Sequence, residues 1–153
     1  MRKLEGMSIL VTGGGSGIGA DCARRFCSQG ARVTISGRRL EKLEAIKVEL
    51  GDRCHVVQGD VTLQDDREAM LAATVEHGGK LDALVNNAAN MYRQPVGGYT
   101  EDFLKDAFDT NVISAMMLSS MAVPHLESTQ GAIVFIGSTH TRRAFPGASP
   151  YAT

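Results

Sequence analysis

Apolar residues gather along the chain in five short bursts, "MSILVT", "ARVTISG", "RCHVVQG", "LDALVNN" and "GAIVFIG", each bounded by glycine or polar residues. They are rich in Val and Ile and too short for helices, so they predict strands. Longer amphipathic segments lie between them. "GIGADCARRFCSQG" has helical length and predicts a stop at Gly30. "RLEKLEAIKVELG" places Leu40, Leu43, Ile46, Val48 and Leu50 mostly on one side of a helix that stops at Gly51. In "VTLQDDREAMLAATVEHGG", Thr62 with Asp65 three positions on reads as a capping box, and Gly78 as the helix end. The fourth connection, 99–128, offers Phe103, Ala107, Phe108, Val112 and Leu118 for burial, and Pro124 is expected to bend or end its helix. Strand alternating with helix in this order predicts right-handed crossovers and an α/β fold, a parallel sheet covered by helices on both faces.

With 153 residues, 43% of them hydrophobic, the chain is long enough for one cored domain, 1–153, without a linker or internal repeat. Its 16 basic and 17 acidic side chains give a formal charge of -1, which supplies no broad field for nucleic acid or an anionic membrane. The start, "MRKLEGMSILVTGGG", is too short in apolar residues for a signal peptide or anchor, so a cytoplasmic setting is expected. Cys22, Cys27 and Cys54 are an odd, scattered set, which argues for core thiols over a disulfide scaffold or zinc site. His55, His77 and His125 lack metal-ligand spacing, and no metal is expected.

Candidate chemistry enters at the first turn. "VTGGGSGIG", residues 11–19, lies between the first predicted strand and the first predicted helix and contains Gly13, Gly14, Gly15, Gly17 and Gly19. Such a turn lets backbone approach a ligand closely, and the free N–H groups of the following helix favour a diphosphate. No Lys-Ser or Lys-Thr follows the glycines, which excludes a P-loop and makes nucleoside triphosphate hydrolysis a poor reading.

The spacing Thr12-Gly13-x-x-x-Gly17-Ile18-Gly19 resembles the short-chain dehydrogenase/reductase family, and four further segments add to it. "NNAA" at 86–89 is similar to the family's Asn-Asn-Ala-Gly segment. Asn111, in "DTNV", matches the asparagine of its fourth helix. Ser138 and Tyr151 stand thirteen positions apart, as the family's catalytic serine and tyrosine do, and "FPGASPYAT" resembles the approach to that tyrosine. The resemblance covers essentially the whole chain. It implies a Rossmann-type doubly wound sheet with its C-terminal part missing, because the family's catalytic lysine falls four residues past Tyr151, beyond Thr153. The piece by itself is therefore expected to be inactive and poorly soluble, with its fifth strand an open edge.

The resemblance also implies roles. Gly13, Gly15, Ser16, Gly17, Ile18 and Gly19 would cradle a nicotinamide dinucleotide. Gly37 stands where NAD-preferring members carry an acid, and Arg38 and Arg39 follow it. Arg38 is the candidate ligand of a 2′-phosphate, with Arg39 and Ser16 helping, so NADP is the expected cofactor. The alternative is that both arginines merely open the next helix. Asp60 and Val61 would border the adenine, although an aspartate at a strand end also serves a turn. Asn87, Ala88 and Ala89 would pass the nicotinamide side, with Ala89 replacing the usual glycine at a cost if its φ must be positive. Met91, Tyr92 and Arg93 are candidates to border the substrate. Tyr151 would exchange the proton, Ser138 would orient the substrate oxygen, and Asn111 would support a proton path. His140, Arg142 and Arg143 are candidates to face a polar substrate or, equally, solvent.

The expected activity is hydride transfer between NADP(H) and a small-molecule carbonyl or alcohol substrate. The rival readings are an epimerase or dehydratase using transient hydride transfer, and a non-catalytic nucleotide-binding scaffold or sensor. The Ser138–Tyr151 pair counts against the last, and Ala89 counts slightly for it. Met116, Met117 and Met121 suit core or subunit packing. The resemblance implies a homodimer or homotetramer packed through the fourth and fifth helices.

Overall fold

The computed structural model describes residues 3–143 and 146–152. Its five strands are β1 (Ser8–Thr12), β2 (Arg32–Gly37), β3 (Cys54–Gln58), β4 (Ala83–Asn86) and β5 (Ala132–Phe135). All neighbours pair in parallel, in the order β3-β2-β1-β4-β5. The connecting helices are α1 (Gly17–Ser28), α2 (Leu40–Leu50), α3 (Gln64–Gly78), α4 (Glu101–Phe108) and α5 (Ser114–Thr129), with a short α6 (Ser149–Ala152). The doubly wound α/β fold is the one expected, and each strand lies within its apolar burst.

Side chains alternate across the strands and feed two cores. Ile9, Val11, Val33 and Ile35 pack with Ala20, Ala23, Leu43 and Ile46 of α1 and α2. Leu10 and Leu84 face the other way and pack with Met70, Leu71, Leu118 and Leu126 of α3 and α5. The sheet therefore carries helices on both faces. Its order reverses at β1, whose strand neighbours are β2 on one side and β4 on the other, and this leaves a crevice at the carboxyl ends of these strands. Among the described residues β3 and β5 stand at the two edges of the sheet, and all four residues of β5 are exposed.

Several local expectations are corrected. Thr62 does not cap α3: the N-cap is Leu63, and the Thr62 hydroxyl and N–H both donate to Asp60 Oδ1, at 2.8 and 3.0 Å. The nearby carboxylate competes successfully for the groups a cap would use. The helix does end at Gly78, as expected, and Gly79 caps it in the left-handed conformation at φ 78°. Pro124 neither ends nor divides α5, which continues to Thr129. The break comes earlier, as a π-helical turn at Asp109–Ile113 between α4 and α5. Of the residues assigned to apolar faces, Leu40, Val48, Phe108 and Val112 are exposed. Val48 lies two positions beyond the buried Ile46, a helical step of about 200° that carries it to the opposite face.

Candidate active site

A cleft of about 500 Å³ opens above the crevice, lined by the glycine turn, the end of β2 and the segments following β3 and β4. Gly13 turns the chain with φ 67°, and a Cβ there would lie 2.9 Å from Asn87 Nδ2 and 3.0 Å from Ala88 Cα. Gly19 is forced by space: a Cβ would collide with the Gly13 carbonyl oxygen. α1 then begins at Gly17, and Ser16, its N-cap, leaves its hydroxyl out of the helix. That hydroxyl accepts a hydrogen bond from Arg39 Nη2 at 3.2 Å.

Thr12 organises the floor. Its hydroxyl accepts from the N–H groups of Asn87 and Ala88, both at 3.0 Å, across about half the chain. Asn87 Nδ2 in turn donates to the Thr12 carbonyl at 2.8 Å and the Gly13 carbonyl at 3.3 Å. The glycine turn is thereby tied to the segment after β4. Ala89 shares this wall, and the only non-glycine residue with positive φ among those described is Gln130. Ala89 thus avoids the backbone strain considered for it, and its slight support for a non-catalytic protein falls away.

The rim at β2 is cationic, with Arg38, Arg39 and Lys42 all lining the cleft. Arg38 Nη1 lies 3.8 Å from Asp60 Oδ2, forming an exposed ion pair across the opening. Asp60 is held in place by the bonds from Thr62, and its N–H donates to Asp66 Oδ2 at 2.6 Å. Val61 is buried beneath it. Lys42 was absent from the sequence-derived set, although its position one helical turn after Arg39 was the signal for it. Thr12 and Asn90 were also missed as site residues, because hydrogen bonds to backbone leave no composition signal.

Of the residues assigned to cofactor binding, Gly13, Gly15, Ser16, Arg38, Arg39, Asp60, Val61, Asn87, Ala88 and Ala89 line the cleft. Gly17, Ile18 and Gly19 do not; they form the first turn of α1, whose leading N–H groups have no partner within the helix. Asn111 sits in the π turn and clamps the backbone of Asn90, accepting its N–H at 2.8 Å and donating to its carbonyl at 2.9 Å.

Ser138 follows β5 and Tyr151 lies in α6; neither borders the cleft lining. They meet through His140: Ser138 Oγ is 3.1 Å from His140 Nδ1, and the His140 and Tyr151 rings stand nearly perpendicular with centroids 5.3 Å apart. Arg142 and Arg143 are exposed. Tyr92 turns inward, its hydroxyl donating to Asp106 Oδ2 at 2.8 Å, so it is a packing residue. Phe145 of the approach segment lies outside the described residues.

The model of the family described as short chain dehydrogenase matches residues 7–153. The chain belongs to the short-chain dehydrogenase family. Among curated short-chain dehydrogenase relatives, a cis-1,2-dihydrobenzene-1,2-diol dehydrogenase of Pseudomonas putida is 35% identical over 87% of this chain and 50% of its own length. An Escherichia coli K12 protein named as an NADP-dependent 3-hydroxy acid dehydrogenase is 34% identical, over 95% of this chain and 59% of its own. The crystal structure of a 3-ketoacyl-(acyl-carrier-protein) reductase from Brucella melitensis, complexed with NADH, superposes with a TM-score of 0.91 at 28% identity. That superposition covers 98% of this chain and 64% of that one. This short-chain dehydrogenase chain thus spans half to three-fifths of the two curated relatives named.

Proposed function

We propose that the protein is the cofactor-binding and catalytic-pair portion of an oxidoreductase that transfers hydride between NADP(H) and a small-molecule carbonyl or alcohol carbon. The observation that carries the reading is the meeting of Ser138 and Tyr151 on one histidine ring, in a chain that also holds a glycine-walled cleft. Neither a scaffold nor a sensor has use for that pair.

The residues of the cleft suit a dinucleotide. Glycines at 13 and 19 leave open backbone where any Cβ would intrude, and the unpartnered N–H groups opening α1 favour a diphosphate. Arg38, Arg39 and Lys42 with the Ser16 hydroxyl would hold a 2′-phosphate, and Asp60 with Val61 would border the adenine. Arg39 supports this role more directly than Arg38, because it already meets Ser16 while Arg38 is drawn to Asp60. The bound nicotinamide would supply or take the hydride. Tyr151 would give the proton to the substrate oxygen in reduction, and Ser138 would donate a hydrogen bond to that oxygen as charge develops on it. Asn111, by clamping Asn90, keeps the cleft wall in register.

The test uses the full-length protein. NADPH should bind more tightly than NADH in a fluorescence titration, and Arg39→Ala should weaken NADPH by about 10- to 100-fold while sparing NADH. Equal affinity for the two would overturn the NADP assignment. Tyr151→Phe should still bind NADPH but lose carbonyl reduction; unchanged turnover would overturn Tyr151 as proton donor.

The same proposal includes a homodimer or homotetramer. Val112, Ile113, Met116, Met117 and Val123 are exposed along the π turn and α5, apolar side chains suited to a second copy of the chain.

A further inference from the structure

Ser138 has one hydroxyl hydrogen and two lone pairs, and the structure shows how its neighbours use them. One lone pair accepts the backbone N–H of His140, at 3.2 Å. The contact with His140 Nδ1, 3.1 Å long, involves either the second lone pair or the hydrogen, according to which ring nitrogen of His140 is protonated. These two arrangements have opposite chemical consequences. When Nδ1 is unprotonated, it takes the Ser138 hydrogen, and the serine has nothing to donate to a substrate oxygen. When Nδ1 carries a hydrogen, both lone pairs of Ser138 are filled, and its O–H is free to point away from the histidine.

We propose that His140 is a positioning residue whose Nδ1–H orients the Ser138 hydroxyl so that its single hydrogen is presented to the substrate oxygen. The proposal rests on the reading of Ser138 and Tyr151 as the catalytic pair. The ring is well placed for the task. It is half-buried, it stands nearly perpendicular to the Tyr151 ring, and the short turn Thr139–Thr141 fixes its backbone, with Thr141 Oγ1 donating to the Ser138 carbonyl at 2.8 Å. A histidine two residues after the serine thus joins the serine and tyrosine into one unit.

Two measurements on the full-length protein test this. The first needs no substrate: a long-range proton–nitrogen correlation spectrum of histidine-labelled protein with NADP bound, the His140 signals being assigned by their loss in His140→Asn. Nδ1 should be protonated, and Ser138→Ala should shift both ring nitrogens. An unprotonated Nδ1 overturns the proposal. The second compares His140→Asn with His140→Leu for NADPH-dependent reduction of 2,3-butanedione as a generic carbonyl probe. Asn keeps a donor near the Nδ1 position, whereas Leu only fills the space beside Tyr151. Asn should recover most of the kcat that Leu loses, about tenfold, with little change in KM. The reverse order, Leu active and Asn impaired, would mean that His140 only packs. Failure of the catalytic-pair reading has a different signature: Tyr151→Phe or Ser138→Ala would then leave turnover intact, while the nitrogen signals would still report the Ser138–His140 contact.

Discussion

A single atom decides the shape of the glycine turn at position 19. A methyl group there would collide with the Gly13 carbonyl and come within 2.5 Å of Asn87 Nδ2, which already holds that turn. Gly19→Ala should therefore lower stability in urea unfolding by about 1–3 kcal/mol and weaken NADPH binding as well. The thiols show the same dependence on surroundings. Burial pushes Cys27 up to about 11, with Arg53 partly opposing, and Cys54 up to about 12. Burial, then the charge of Asp21, also raises Cys22. Each thiol is therefore neutral near pH 8, and Ellman's reagent should reach Cys27 and Cys54 only after unfolding. Their folded values lie above the unfolded one, so this contribution to stability is complete below about pH 9 and is lost as pH rises toward 11 and 12. An alkaline decline in melting temperature over that window checks the sign.

At the scale of elements, the segment from α4 to α5 departs most from expectation. Its periodicity announced one helix with a proline break, yet the chain inserts a π turn at Asp109–Ile113 and passes through Pro124 unbroken. The π turn carries Asn111, whose two bonds to Asn90 hold the wall after β4. Pro124 is exposed and denies the Ser120 carbonyl its helical donor, so its presence weakens α5. Pro124→Ala should stabilise the protein by about 1–3 kcal/mol in chemical denaturation. A loss of stability would show that the proline ring makes contacts worth more than the missing bond. The segment between β3 and α3 behaves similarly: Asp60 draws the Thr62 hydroxyl and N–H to its carboxylate at the cleft border.

At the scale of the whole molecule, the two sheet faces are unequal in cover. α1 and α2 bury one core and α3 and α5 the other, but the outward side of α5 leaves Met116 63% and Met117 44% exposed. Under the proposed assembly these residues meet a second copy. Met116→Lys should then shift the full-length protein to smaller species in sedimentation velocity, with the fold retained by circular dichroism. An unchanged oligomer would remove this face from the interface.

Strand, turn and helix positions were legible in the sequence because they follow from local periods and from glycines at fixed spacing, which act within a few residues. The family and most of the cleft wall came from the same source, through Gly13, Arg38, Asp60 and Asn87. What only the tertiary structure decided are the meetings between distant residues: Thr12 with Asn87 and Ala88, Asn111 with Asn90, Arg39 with Ser16, and His140 between Ser138 and Tyr151. The exposure of Val48, Val112 and Met116 belongs with these, since an apolar residue is buried only where another element arrives to cover it. Hydrogen bonds and packing depend on which side chains the crossovers bring within a few ångströms, and no local period encodes that.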